Sequence, residues 1–281
     1  MKKILVPTDF SECADKALQY AIILAKKAEA EIILLHVCDL LDPTFSGIKK
    51  IMREYNEAKT AELTLSLQRL KESVESNEVR ITTMLYNGDI VDSILTASNE
   101  QHADLIVMGT LGATGLKKLF FGTKAAAVIN KSVIPVIAIP ADYKASALKE
   151  IVIAIDNAKH STRIFEPVFT LSRLFEAKIT TVVFTEEAAD AAKRMEQSDM
   201  LGRIEKKLDT HFIGNDVESV QIHGQDFHES MQEYVEDQKT DLLVMLTHER
   251  TFMQNLFKLS MTREMAYHIT VPLMALKGLA P

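Results

Sequence analysis

The chain repeats itself, and that repeat constrains the fold more than any other feature. Lys3-Ile4-Leu5-Val6-Pro7-Thr8-Asp9 is answered by Glu150-Ile151-Val152-Ile153-Ala154-Ile155-Asp156, an apolar run ending on an aspartate, at an offset of 147. Further along, Ala103-Asp104-Leu105-Ile106-Val107-Met108-Gly109-Thr110 matches Thr240-Asp241-Leu242-Leu243-Val244-Met245-Leu246-Thr247, and Ile134-Pro135-Val136 matches Val271-Pro272-Leu273, both at an offset of 137. Self-similarity at a fixed spacing marks a duplicated structural unit. The second copy is therefore about ten residues shorter inside, and the difference is placed around 38–75, where the first copy has the longer loop and helix. With 281 residues, two domains of about 140 are comfortable, each able to bury its own core. Residues 140–147, with a proline, an alanine-rich run and no strand pattern, read as the linker, giving expected domains 1–142 and 148–281.

Within the first copy, short β-branched runs at about 3–7, 31–37, 79–85, 104–109 and 134–139 alternate with helical patterns at about 11–28, 47–75, 89–101 and 119–130. Ala14, Ala17, Leu18, Ala21, Ile22 and Ala25 recur at helical spacing, while the strands are almost continuously apolar. That combination predicts a parallel sheet covered by helices on both faces, so the fold class is α/β with two tandem five-stranded parallel sheets of Rossmann-like type. Ser11 is a plausible N-cap for the first helix, with Glu12 well placed against the dipole. Ligands of such sheets bind beyond the carboxyl ends of the strands, where Asp9, Val37 and Gly109 fall. The closing strands, 134–139 and 271–276, are edges with apolar residues that need cover.

Composition enters mainly to exclude. A net charge of −7 argues against a phosphate-backbone binder, so nucleic acid is not an expected partner. The two cysteines, Cys13 and Cys38, have no metal-knuckle or redox spacing and read as packed thiols of a reducing compartment. The opening apolar run is too short for a signal core or a membrane span, so the expected location is the cytoplasm, without a membrane partner.

Four of the ten glycines fall in one stretch, Gly109, Gly112, Gly115 and Gly122, directly after the strand at 104–109. Glycine permits close backbone approach to a ligand, and Gly122-Thr123 would open the next helix, whose free N–H groups favour anions. Lys117, Lys118 and Lys124 add positive charge nearby. The bland alternative is a surface loop and a glycine turn. Neither a G-x-G-x-x-G after the first strand nor a G-x-x-x-x-G-K-[ST] is present, which removes the dehydrogenase and P-loop readings.

These residues resemble the universal stress protein family in its tandem-domain form. Gly109-x2-Gly112-x9-Gly122-Thr123 matches the pattern G-x2-G-x9-G-[ST] of its ATP-binding members, and Pro7-Thr8-Asp9, the alanine-rich first helix, Ala103 to Gly109 and Pro135-Val136 also look like that family. The resemblance implies an adenine-nucleotide site: Pro7, Asp9 and the backbone of Val37 at the nucleoside end, Met108, Gly109, Gly112, Gly122, Thr123 and Lys124 towards the phosphates. The ligand implied is ATP, with AMP or ADP as alternatives and Mg²⁺ accompanying ATP. It further implies that the closing strands meet across a pseudo-twofold axis, one chain mimicking a homodimer, with homodimers of the whole chain a further option. Leu111 and Lys124 depart from the residues usual at their places. Helix capping is the competing role for Asp9, and core packing for Val37.

The second copy loses the cradle. Leu246, Glu249 and Leu259 stand opposite Gly109, Gly112 and Gly122, although Asp156 and Ser260 survive opposite Asp9 and Thr123. Side chains replace bare backbone and Glu249 brings a charge that repels phosphate, so the expectation is one nucleotide per chain. Leu246, Phe252, Met253, Leu256 and Leu259 could instead line a greasier pocket. His223, Asp226, His228 and His248 could converge on a metal if strand ends and loops bring them together, but their spacing matches no metal signature. The functional expectation is a cytoplasmic stress-response protein with ATP as a regulatory ligand; a slow ATP hydrolase and a dimerisation platform are the competing readings.

Overall fold

The computed structural model describes residues 1–41, 49–74, 78–110, 123–144, 146–155, 161–212, 217–247 and 270–277. The first copy runs β1 (Lys3–Pro7), α1 (Glu12–Ala28), β2 (Glu31–Cys38), α2 (Lys49–Val74), β3 (Ile81–Asn87), α3 (Ile90–Glu100), β4 (Leu105–Gly109), α4 (Thr123–Lys131) and β5 (Val136–Ile139). The second repeats it as β6 (Glu150–Ala154), a 3-10 turn (Thr162–Phe165) leading into α5 (Glu166–Phe175), β7 (Lys178–Glu186), α6 (Ala191–His211), β8 (Val217–Gly224), α7 (Phe227–Asp237), β9 (Leu242–Thr247) and β10 (Leu273–Lys277). The length difference falls where the repeat places it: α2 has 26 residues and α6 has 21, and the connection before them spans 39–48 in one copy and 187–190 in the other.

All ten strands form one sheet in the order β3-β2-β1-β4-β5-β10-β9-β6-β7-β8. Every pairing inside a half is parallel, and the halves join through the antiparallel pair β5·β10. Its register is Ala138 with Leu273, Ile137 with Met274 and Val136 with Ala275. Since Val136, Ile137 and Ala138 are the repeat counterparts of Leu273, Met274 and Ala275, a pseudo-twofold axis passes between Ile137 and Met274. Each closing strand thus covers the other's apolar edge, which removes the unpaired backbone a free edge would expose. β5 starts two residues later than the apolar run because Ser132 closes a turn: its Oγ donates to the Ile134 carbonyl at 2.7 Å and accepts from the Ile134 N–H at 3.2 Å. Pro135 has no N–H to offer the ladder.

Strand residues alternate between two helical layers, hence their continuous apolar character. Ile4 and Val6 face a core built by α1, α2, α5 and α6, which runs unbroken across both halves. Leu5 faces a second core under α3 and α4, and Val152 its counterpart under α7. On the shared face, Phe169 and Phe212 stack with ring centroids 3.6 Å apart and planes 8° from parallel. The aspartate common to both copies also has a physical role. Asp104 Oδ2 accepts from the N–H groups of Lys2 (2.5 Å) and Lys3 (3.0 Å), and Asp241 Oδ2 accepts from Lys149 (2.8 Å) and Glu150 (3.0 Å). Each one ties down the entry to its half's first strand and satisfies donors the sheet leaves over. Among the described residues, no helix is long and apolar enough to cross a membrane.

Candidate functional site

In the first half, a cleft opens over the carboxyl ends of β1, β2 and β4. It is shaped by a tight turn after β1. Thr8 stays on the ladder through its N–H to the Leu35 carbonyl (2.8 Å), and its Oγ1 accepts from the Phe10 N–H (3.0 Å). Phe10 adopts φ 61°, a left-handed conformation that is unusual for an aromatic residue. Its ring packs on His36 at 4.7 Å between centroids, and His36 Nδ1 lies 2.8 Å from the Thr8 carbonyl oxygen. Asp9 Oδ1 accepts from the Ser11 N–H at 3.1 Å, and Ser11 Oγ caps α1 by accepting from Ala14 N–H at 3.2 Å. Asp9 thus braces the turn while its exposed carboxylate lines the cleft.

The sites expected from sequence that the structure describes meet here. Pro7, Asp9, Val37, Met108, Gly109, Thr123 and Lys124 line one cleft, together with Thr110, which with Asp9 and Thr123 is the sequence's candidate for a group near the γ-phosphate, and with Thr8, Ala14, Leu35, Ile90, Ile94 and Ala125, which the sequence does not assign to the site. Gly112 and Gly122 lie outside the described residues, as do Asp156, Glu249, Leu259, Ser260 and His248. The two ends of the segment that carries Gly112 and Gly122, Thr110 and Thr123, both line the cleft. The first backbone N–H groups of α4, from Thr123, Lys124 and Ala125, have no partner within the helix and give this end its positive potential.

Lys124 shares its charge with a neighbour. Its Nζ lies 3.9 Å from Asp89 Oδ2. Asp89 caps α3 by accepting from the Val91 and Asp92 N–H groups at 2.9 and 3.0 Å, and Gly88, at φ 136°, makes the turn that brings it there. Hydrogen bonding from the Asp92 backbone, with a further bond from Val91 and the charges of Lys124 and Lys131, holds the Asp89 carboxyl below its ordinary range.

Gly109 has a reason to be glycine that is separate from any ligand. A Cβ there would come within 2.7 Å of Cys13 Sγ, 2.9 Å of the Cys13 carbonyl oxygen and 3.0 Å of its carbonyl carbon. The first turn of α1 packs directly on the end of β4, and the thiol, which donates to the Ile139 carbonyl at 3.5 Å, is held there. Gly109→Ala is expected to lower stability by about 1–3 kcal/mol through overpacking, read as a lower thermal midpoint. Adding Cys13→Ala relieves only the sulfur contact, so the double variant stays less stable than Cys13→Ala alone; equal midpoints for those two would show that the close backbone approach is absent.

The second half has a cleft at the equivalent place. Ala154, Ile155, Phe184, Phe227, Met245 and Leu246 line it at the repeat positions of Pro7, Thr8, Val37, Ile90, Met108 and Gly109. Leu246 is buried where Gly109 is bare. The helix after β6 begins as a 3-10 turn, Thr162–Phe165, that leads into α5. Among the described residues, no group of three or more His, Cys, Asp or Glu is placed to hold a metal ion.

A parallel sheet with β3-β2-β1-β4-β5 order, helices on both faces and a cleft over its carboxyl ends is a doubly wound α/β domain of the Rossmann-like type, present here in duplicate. The chain belongs to the universal stress protein family: the family model matches residues 1–140 and again 147–277. A universal stress protein of Methanocaldococcus jannaschii is 32% identical over 152 residues, covering 49% of this chain and 94% of that protein. One from Bacillus subtilis is 32% identical over 143 residues, covering 48% and 96%. In solved structures, a universal stress protein from Archaeoglobus fulgidus superposes with a TM-score of 0.67 at 21% identity, covering 98% of this chain and 96% of that one, and so shares the whole tandem fold.

Proposed function

We propose that the protein is a cytoplasmic stress-response module whose first half, 1–142, binds one adenine nucleotide as a regulatory ligand, with ATP ahead of AMP or ADP. The carrying observation is the convergence on one cleft of Asp9, Val37, Met108, Gly109 and the N-terminus of α4. Asp9 and the Val37 backbone hold the nucleoside. The phosphates lie against the free N–H groups of α4, beside Thr123, Lys124 and the segment bearing Gly112 and Gly122, where dipole and backbone donors favour an anion. Mg²⁺ enters with the triphosphate. The second half, 148–281, takes no nucleotide in this reading, because Leu246 is buried at the place of Gly109 and the sequence repeat sets Glu249 opposite Gly112.

In this reading bound nucleotide acts by occupancy, and turnover is the competing outcome. Incubation of the full chain with saturating Mg-ATP is expected to show saturable binding and no phosphate release above buffer. Turnover that disappears in Asp9→Ala would replace the binding role with a hydrolase; absence of any binding would leave the sheet pairing as the main role.

A further inference from the structure

The cleft of the second half is built for a different ligand. Compared with the first half, Thr8 becomes Ile155, Val37 becomes Phe184, Ile90 becomes Phe227 and Gly109 becomes Leu246, so each exchange removes a polar group or adds apolar surface. The cavity measures about 340 Å³, within the range of roughly 300–1,000 Å³ typical of small-molecule sites. Phe184 and Phe227, both on its lining, meet edge to face with centroids 5.5 Å apart at 85°, so the wall they share is aromatic.

Several of its polar side chains are already paired with one another. Among the described lining residues the charged pair is Lys193 and Glu186, with Nζ 3.7 Å from Oε2, so these two charges offset each other. Gln197 donates through Nε2 to the Phe184 carbonyl at 3.0 Å and accepts from Thr185 Oγ1 at 2.5 Å, and Thr185 in turn accepts from Gln221 Nε2 at 2.6 Å. A ligand entering here meets the apolar residues Ile155, Phe184, Phe227, Met245 and Leu246 beside that paired polar border.

We propose that this cleft binds a small uncharged ligand with an aromatic ring, seated against the Phe184 and Phe227 pair over Ala154, Met245 and Leu246. Such a ligand gains from leaving water and forfeits no hydrogen bonds, whereas a nucleotide would bring charge to described lining charges that already offset each other. The site is independent of nucleotide binding in the first half.

The test uses the full chain and N-phenyl-1-naphthylamine, an uncharged aromatic probe whose emission rises on leaving water. The expected result is saturable binding of one probe per chain, undiminished by Mg-ATP. Ala154→Leu, which fills the floor, and Phe227→Ser, which removes one ring from a half-buried position, should each weaken it by about tenfold or more. Far-ultraviolet circular dichroism identifies a variant that has failed to fold, and the other then decides. Unsaturable binding, competition by ATP, or unchanged affinity in a folded variant would each overturn the assignment.

Discussion

Replacing Gly122 with valine is expected to weaken ATP binding by about a hundredfold or more, equivalent to about 2.7 kcal/mol, while moving the thermal midpoint by less than about 2 °C. The position immediately precedes Thr123, the first residue of α4, whose N-terminus faces the cleft. An anion held there depends on approach to backbone N–H groups, and a branched side chain at the adjoining residue is expected to obstruct that approach. Isothermal titration of the folded variant measures the loss. Wild-type affinity would remove the phosphates from this end of the cleft. The contrast with Gly109→Ala is informative, because there the first casualty is the packing of α1 on β4.

Phe169→Ala is expected to lower the unfolding free energy by about 3–5 kcal/mol and the thermal midpoint by roughly 10 °C. Phe169 is fully buried and stacks on Phe212 in the core that α1, α2, α5 and α6 share. Because that core and the sheet both continue through β5·β10, the damage should not stay in the second half. A single transition should shift as a whole, including the signal of a fluorophore attached at the exposed Asp9→Cys position in the first half of a chain whose two native cysteines are replaced. Two transitions, with the first-half signal unmoved, would show that the halves unfold independently.

Much of the fold was legible because duplication and strand patterning are written locally. Lys3–Pro7 and Glu150–Ala154 read as strands from their apolar runs, and the need of 134–139 and 271–276 for cover is met by β5·β10. The cleft was legible in outline, since Asp9, Val37 and Gly109 sit where strands of a parallel sheet end. What stayed hidden depends on registers and distances between segments. His36 earns its place only because β1·β2 pairing sets it beside Thr8 and Phe10, and the left-handed Phe10 has no signature of its own. Gly109 read as a ligand glycine, while its contact with Cys13 is a packing requirement visible only once α1 lies on β4. In the second half, Leu246 was identified, but Ile155, Phe184 and Phe227 were not, because they come together only through the sheet and α7. Phe252, Met253, Leu256 and Leu259 lie outside the described residues.

The two clefts stand at equivalent places in one continuous sheet, so their comparison isolates the chemistry of their walls from the fold that supports them. Titration calorimetry of the intact chain with Mg-ATP tests the central claim most directly. One nucleotide per chain is predicted, with the heat abolished by Gly122→Val and unchanged by Phe227→Ser; two nucleotides per chain, or one that survives Gly122→Val and is lost in Phe227→Ser, would contradict it.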